Sequence, residues 1–195
     1  MRISCLHTNA DNISYFEAAA PDGVILTHFL RPELNLRAGS RDTAAGLAAE
    51  VAAALRKMGE GADVAMTAST VLSPYTTPPA VSADALLIEA IEERGAGRRV
   101  EVFHVNPLAE DIVTRCYGGI RGAAGLTITP LPQVWDALRD GDAAAHAHLL
   151  RKAIDHSRAD LIALAHPTMA GVADHDRRVM SLVQISLARL LRRGV

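Results

Sequence analysis

The sequence predicts an α/β fold of two pseudo-symmetric halves, residues 1–97 and 98–195, each a mostly parallel sheet flanked by helices. Three observations predict it. Short apolar runs alternate with helical stretches along the chain, which favours parallel strands covered on both faces. Residues 62–70 (ADVAMTAST) recur in altered form as residues 159–168 (ADLIALAHPT), and a helix-like stretch follows each copy. Finally, 49% hydrophobic residues in a chain of 195 supply enough apolar side chains for a core.

Three strands and two helices are expected in the first half. The strands are the apolar runs at residues 3–6, 24–30 and 62–67. Asp42 or Thr43 caps a helix that stops at Gly59, a typical residue for a helix C-terminus. Ser82 caps a second helix that ends near Arg94.

The second half is expected to repeat the alternation of strands and helices. Its strands are the apolar runs at residues 99–105, 126–129 and 159–165. One helix covers about residues 108–116, and Asp142 caps another that reaches about His156. The tail, about residues 178–193, carries apolar side chains at the spacing of one helix face.

Composition and charge exclude several classes of function. The formal net charge is −2, so the basic surface that nucleic acids require is not expected, and neither is a nucleic-acid partner. No apolar run approaches the roughly 18 residues of a membrane-spanning helix, so no membrane partner is expected. Two cysteines make no disulfide framework, which predicts a reducing, cytoplasmic location.

Polar side chains at the predicted strand ends are the candidates for a functional site. Ligands of open parallel sheets bind outside the carboxyl ends of the strands. Hydroxyl and amide groups there, with the N–H groups of the following turn, can hold a carboxylate, although the same residue types also serve as ordinary helix caps. The candidates for substrate binding are His7, Thr8, Asn9, Thr70, His104 and Thr168.

Ser69 and His166 are the catalytic candidates because they hold matching places in the repeat. Counting six residues on from Asp63 gives Ser69, and the same count from Asp160 gives His166. Duplicated α/β halves tend to place matching strand ends across one cleft, so we expect an active site between the halves. An imidazole suits proton transfer near neutral pH, whereas the alternative is a half-buried histidine bonded to a backbone carbonyl.

A metal site is the alternative use of the histidines. His7, His104 and His166 could all lie on the same edge of the sheet, which would suit zinc or iron. No close ligand spacing accompanies them, and His146 and His148, two residues apart on a helix, point to different faces. We therefore expect no metal. The phosphate-loop pattern is also missing, so no nucleotide cofactor is expected.

Four segments carry a resemblance to a known family: residues 5–8 (CLHT), 26–32 (LTHFLRP), 62–70 (ADVAMTAST) and 159–171 (ADLIALAHPTMAG). With them the chain resembles the aspartate/glutamate/hydantoin racemase family over nearly its whole length. The resemblance implies one active site between two α/β halves and no cofactor. In that superfamily, which includes maleate isomerase and arylmalonate decarboxylase, two cysteines exchange a proton next to a carboxylate, and the decarboxylase keeps only the second.

The chain departs from the family pattern at both cysteine positions. An ungapped comparison puts Ser69 at the first position and His166 at the second, and a shift of one residue would put Ala68 at the first. Cys5 and Cys116 lie outside the motifs. The chain therefore resembles a divergent member that lacks both catalytic thiols.

A site with one competent base, instead of two thiols, does not easily catalyse racemisation, so a different reaction is expected. A serine hydroxyl is too weak a base for a carbon-bound proton, whereas His166 can accept and donate one. Such a site suits an isomerase or a lyase, including a decarboxylase, with a small carboxylate as substrate. Two alternatives stay open: a hydrolase-like or cyclase enzyme in which His166 activates Ser69, and a non-catalytic carboxylate-binding protein. A homo-oligomer is compatible with each.

Overall fold

The computed structural model describes residues 1–38 and 44–194. The first part of the chain forms a four-stranded sheet whose strands are β1 (Arg2–His7), β2 (Ile25–Leu30), β3 (Val64–Thr67) and β4 (Val81–Ser82). The strand order is β2-β1-β3-β4, and every pair is parallel. Leu6 pairs with Thr67, so β1 and β3 end at the same edge of the sheet.

The second sheet repeats this arrangement. Its strands are β5 (Arg99–His104), β6 (Gly125–Pro130), β7 (Leu161–Leu164) and β8 (Val179–Ser181). The order is β6-β5-β7-β8, again parallel throughout. Each strand therefore has its counterpart in the first sheet, and the predicted α/β fold of two pseudo-symmetric halves is confirmed.

The described residues form eight α-helices, of which the last follows the final strand and the others lie between strands. They are α1 (Asp11–Ala19), α2 (Glu33–Ala38), α3 (Ala44–Gly59), α4 (Ala83–Arg94), α5 (Glu110–Tyr117), α6 (Pro132–Arg139), α7 (Ala143–His156) and α8 (Leu182–Arg193) within the described ranges. A 3₁₀ segment follows β3 at Thr70–Tyr75, and another follows β7 at Pro167–His175. The described helices include none with the length and hydropathy that a membrane crossing needs.

The helices bury one apolar face each. On α3 the buried side chains Leu47, Val51, Leu55 and Met58 recur at the spacing of one helix face. Leu150 and Ile154 of α7 likewise belong to a core cluster with the β7 residues Ile162 and Leu164. Each fully buried Leu or Ile side chain contributes about 1.5–3 kcal/mol to folding, so these faces hold the helices on the sheets.

Two predicted helix caps are confirmed. Ser82 Oγ accepts a hydrogen bond from the N–H of Ala85 at 2.9 Å, and Asp142 Oδ1 accepts one from Ala145 at 2.8 Å. The expected cap at Asp42 or Thr43 lies outside the described residues. The tail helix begins at Leu182 rather than near residue 178, because β8 occupies the preceding residues.

The chain divides into two compact units, residues 1–86 with 186–195, and residues 87–185. This division differs from a boundary after residue 97. The second unit begins inside α4, and the last turns of α8 belong to the first unit.

Candidate functional site

The first unit brings Thr8 and Ser69 together at the shared edge of β1 and β3. Thr8 Oγ1 and Ser69 Oγ lie 2.7 Å apart, a hydrogen bond in which either hydroxyl can be the donor. Both side chains are buried, with 8% and 6% of their surface exposed. Two adjoining hydroxyls of this kind can reorient their protons towards an anion, since each is both donor and acceptor.

Thr70 instead contacts a buried carboxylate. Its Oγ1 donates to Asp84 Oδ1 at 3.1 Å, and Ser73 Oγ donates to Asp84 Oδ2 at 2.5 Å. Asp84 lies in the first turn of α4 and is only 1% exposed. A hydroxyl that gives its proton to Asp84 has none left for a substrate oxygen. This geometry gives Thr70 a positioning role in the 3₁₀ segment.

Asn9 lies at the exposed start of α1. Its Oδ1 accepts a hydrogen bond from the N–H of Asp11 at 3.0 Å. This contact is an ordinary turn at the start of a helix. The Oδ1 atom is thereby occupied, and the side-chain amide nitrogen is the group that Asn9 can still offer to a ligand.

His7 ends β1 but is fully buried rather than open at the edge. Its Nε2 lies 2.8 Å from His28 Nδ1, and its ring meets the edge of Phe16 with centroids 5.4 Å apart. Burial, with a smaller effect of His28, lowers the pKa of His7 to about 4. His7 is therefore neutral at pH 7.

The second unit places His166 directly after β7. The residue has extended backbone and caps the 3₁₀ segment that follows. Its Nδ1 lies 2.8 Å from Thr168 Oγ1 and accepts a longer contact of 3.4 Å from the N–H of Thr168. Trp135 of α6 meets the His166 ring edge-on, with centroids 6.0 Å apart. Thr168 and Trp135 thus fix the orientation of this imidazole.

Three histidines of the second unit affect one another electrostatically. Burial lowers the pKa of His166 to about 4, and His146 and His104 add to this effect. Burial also lowers the pKa of His104, opposed in part by Glu110, and that of His146. A cationic His166 is disfavoured, so the ring is neutral at pH 7.

His104 and His146 each keep a buried nitrogen without a hydrogen-bond partner among the described residues, Nδ1 and Nε2 respectively. Unpaired buried nitrogens are costly and point to a polar ligand or water. His146 lies on the buried face of α7 with Leu150 and Ile154, whereas His148 is exposed, which confirms that the two face different ways.

Sequence reasoning missed several polar side chains of these sites. His146 was identifiable, because it lies four and eight residues before Leu150 and Ile154 and so shares their apolar face. Asp84 carried no comparable signal, since an acidic residue in the first turn of a helix is common. Trp135 lies on a helix that the sequence did not predict.

Neither strand end carries a thiol. Cys5 is fully buried inside β1, and Cys116 lies on α5. The proton-transfer chemistry available at these strand ends is that of an imidazole, while the hydroxyls of Thr8 and Ser69 suit anion binding.

Comparison with known proteins gives a fold relationship. No family model and no curated protein sequence matches the chain. Among solved structures, aspartate racemase from Picrophilus torridus has a TM-score of 0.70 and 11% identity, covering 99% of this chain and 94% of that one. Allantoin racemase from Klebsiella pneumoniae has a TM-score of 0.64 and 17% identity, covering 100% and 89%.

A decarboxylase shares the same fold. Arylmalonate decarboxylase has a TM-score of 0.60 and 16% identity, covering 98% of this chain and 92% of that one. These likenesses show that the chain shares the fold of these enzymes. The described chain is comparable in length to these proteins.

Proposed function

We propose that this protein is a cofactor-independent isomerase or lyase that moves a proton next to the carboxylate of a small substrate, with His166 as the acid/base. The observation that carries the proposal is the Nδ1 contact of His166 with the Thr168 hydroxyl at 2.8 Å. It orients a neutral imidazole at the end of β7.

The Thr168 hydroxyl suits a residue that both takes and gives a proton. When that hydroxyl donates to Nδ1, the neutral ring carries its proton on Nε2 and can donate a hydrogen bond from there to the substrate. When the hydroxyl accepts from Nδ1–H, the Nε2 lone pair can act as a base. The N–H of Thr168 favours the first form, although its contact of 3.4 Å is long. Thr168 is therefore a positioning residue in this proposal.

Thr8 and Ser69 are assigned to the substrate carboxylate. Their hydroxyls are adjacent, and the repeat places Ser69 at the position matching His166. His7, His104, Asn9 and Thr70 remain predicted ligands, although Thr70 and His7 already have protein partners.

The hydrolase or cyclase alternative is less well supported. A serine nucleophile needs a base beside it, and the described hydrogen bond of the Ser69 hydroxyl is to Thr8, which is not a base. The non-catalytic carboxylate-binding protein stays an outcome of the test. The cytoplasmic location, predicted because two cysteines make no disulfide framework, and a homo-oligomer remain predictions.

The experiment is hydrogen exchange in D₂O with a panel of small carboxylates: amino acids, unsaturated diacids and substituted malonates. NMR then detects deuterium at the carbon next to the carboxylate, or loss of carbon dioxide. We expect exchange by the wild type and a loss of about 10²–10⁴-fold in His166→Gln. His148→Gln, on the exposed side of α7, is the matched control. Binding by NMR line broadening without exchange would favour the binding protein, and unchanged exchange in His166→Gln would overturn the assignment.

A further inference from the structure

One group of potential metal ligands stands out among the described residues: Cys5, His7 and His28, called here the Cys-His cluster. One ligand atom from each residue lies within 4.8 Å of the others. Cys5 and His7 alternate along β1, and Cys5 pairs in register with His28 of β2. Residues at these places share one face of a parallel sheet, so the backbone itself holds the three side chains together.

Hydrogen bonds fix the protonation of the cluster. His28 Nε2 lies 2.8 Å from Glu17 Oε1, and an ionised carboxylate can only accept, so His28 carries its proton on Nε2. The lone pair of His28 then lies on Nδ1, which faces His7 Nε2 at 2.8 Å. His7 therefore donates from Nε2 and has its lone pair on Nδ1, which is buried without a partner among the described residues.

We propose that Cys5, His7 and His28 bind one Zn²⁺ ion, which replaces the hydrogen bond between His7 Nε2 and His28 Nδ1, with Glu17 holding His28 in the ligating orientation. Zinc prefers tetrahedral sites made of thiolate sulfur and imidazole nitrogen. A carboxylate on the outer nitrogen of a ligating histidine is the usual support for such a ligand. With three protein ligands, the fourth position belongs to water.

The buried position of Cys5 suits a metal-bound sulfur better than a thiol without a metal. Cys5 and His7 are completely buried. The His28 side chain keeps 12% of its surface exposed, so an ion can reach the Cys-His cluster from solvent at His28. A cysteine ligates zinc as the thiolate, so binding removes the Sγ–H proton of Cys5. Zinc displaces that proton, which leaves to solvent.

The site goes beyond the proposed function, and a zinc-bound His7 would be a metal ligand instead of the substrate ligand predicted from the sequence. Its ligands lie on the face of the first sheet where His7 contacts Phe16 of α1. Zinc there would tie β1 and β2 together just before Thr8. A His7–His28–Glu17 hydrogen-bond chain without metal is the competing explanation of the same geometry, and only metal binding separates the two.

The test is metal binding by the full chain after removal of metal with a chelator. Zinc is added, excess is removed by gel filtration, and retained metal is measured by mass spectrometry. We expect one zinc per chain and release of about one proton on binding, from Cys5, measured by calorimetry in buffers of different ionisation enthalpy. Co²⁺ in place of zinc should give the visible bands of tetrahedral cobalt and a thiolate-to-metal charge-transfer band.

Variants identify the ligands. Cys5→Ser should abolish the charge-transfer band, and His28→Gln, at a partly exposed position, should abolish stoichiometric binding. Glu17→Gln should weaken binding about 10–100-fold. The matched controls are Cys116→Ser, the other cysteine, and His175→Gln, which pairs with Asp155 at the same 2.8 Å. Both should bind like the wild type.

Three results would overturn the proposal: no zinc retained by the folded wild type, retention without loss of a thiol proton, or retention that persists in His28→Gln and disappears in a control. Circular dichroism checks folding of each variant. Should Cys5→Ser fail to fold, the wild-type cobalt spectrum and His28→Gln still decide the outcome.

Discussion

Asp160 and Asp63 hold the same structural place in the two halves. Each carboxylate accepts a hydrogen bond from the backbone N–H of an arginine 61 residues earlier, Arg99 at 3.0 Å and Arg2 at 2.7 Å. The two arginines begin β5 and β1. The pair in the second half is the tighter one, because both Nε and Nη2 of Arg99 also bond to Asp160, whereas Arg2 Nη2 lies 4.0 Å from Asp63.

Asp160→Asn should lower the melting temperature more than Asp63→Asn does. Hydrogen bonds from Arg99 hold the pKa of Asp160 at about 2, below its usual value. The ionised carboxylate therefore stabilises the fold above about pH 4, and this contribution is lost as the pH falls towards 2. Thermal unfolding of both variants and the wild type between pH 2 and 7 checks this. Equal melting temperatures for the two variants at pH 7 would contradict it.

Acid should destabilise the protein through its buried histidines. The unfolded chain protonates His7 near pH 6.5, while the folded chain resists until about pH 4. The unfolded state thus binds more protons in this interval. The free energy of unfolding therefore decreases as the pH is lowered from 6.5 to 4, and it levels off below pH 4. His7 alone contributes about 3 kcal/mol in full.

His7→Gln should therefore show a shallower loss of stability between pH 7 and 4.5 than the wild type, measured by urea unfolding. His148→Gln is the control, since that side chain is exposed and should leave the slope as it is. Part of the pH dependence of the free energy of unfolding should remain in His7→Gln, because the other buried histidines are still present. An identical slope in this variant would rule out a buried, neutral His7.

Gly95→Ala should destabilise the second unit. A Cβ at this residue would lie 2.6 Å from the carbonyl oxygen of Ile91 and 2.9 Å from Val100 Cγ2. The Ile91 carbonyl is a backbone group and cannot move away at low energetic cost. Overpacking of this kind lowers the free energy of unfolding by about 1–3 kcal/mol. Gly119→Ala, where a Cβ meets nothing within 4 Å, is the matched control and should change stability by less than about 0.5 kcal/mol. Chemical denaturation measures both, and equal effects would show that the contact at Gly95 is relieved.

Thr168→Val should slow turnover without weakening substrate binding. The variant removes the hydroxyl that lies 2.8 Å from His166 Nδ1 but keeps the imidazole. Loss of one net hydrogen bond of about 1 kcal/mol corresponds to roughly a 5-fold fall in kcat. KM should stay near the wild-type value, and Thr168→Ser should restore the rate. A change in KM alone would instead make Thr168 a substrate ligand.

Much of the fold followed from sequence pattern. The buried strands and the helices capped by Ser82 and Asp142 have clear signals in apolar runs and capping residues. The two short strands β4 and β8 have only two and three residues, too few to show a period. Helix α1 was missed because Ala10 precedes it and offers no side-chain cap. Helix α6 was missed because it starts at a proline directly after a strand.

The candidate site could be predicted only where the repeat marked it, and it stays a prediction. Ser69 and His166 follow from counting along the two copies, and each lies within two residues of the end of its expected strand. The partners of these residues depend on side-chain packing between elements distant in sequence, such as Trp135 against His166. His28 and Glu17 also lie on separate elements, so no local pattern connects them with His7.

The strand order and the arginine–aspartate pair recur in both halves, so one half of the chain can be compared with the other. Both copies have the same parallel strand order. In both, an aspartate carboxylate also accepts a hydrogen bond from the first residue of the strand that begins the half. The copies differ at the matching position, which is serine in one and histidine in the other. Exchanging these two residues between the copies would separate the properties that depend on the fold from those that depend on the side chain at this position.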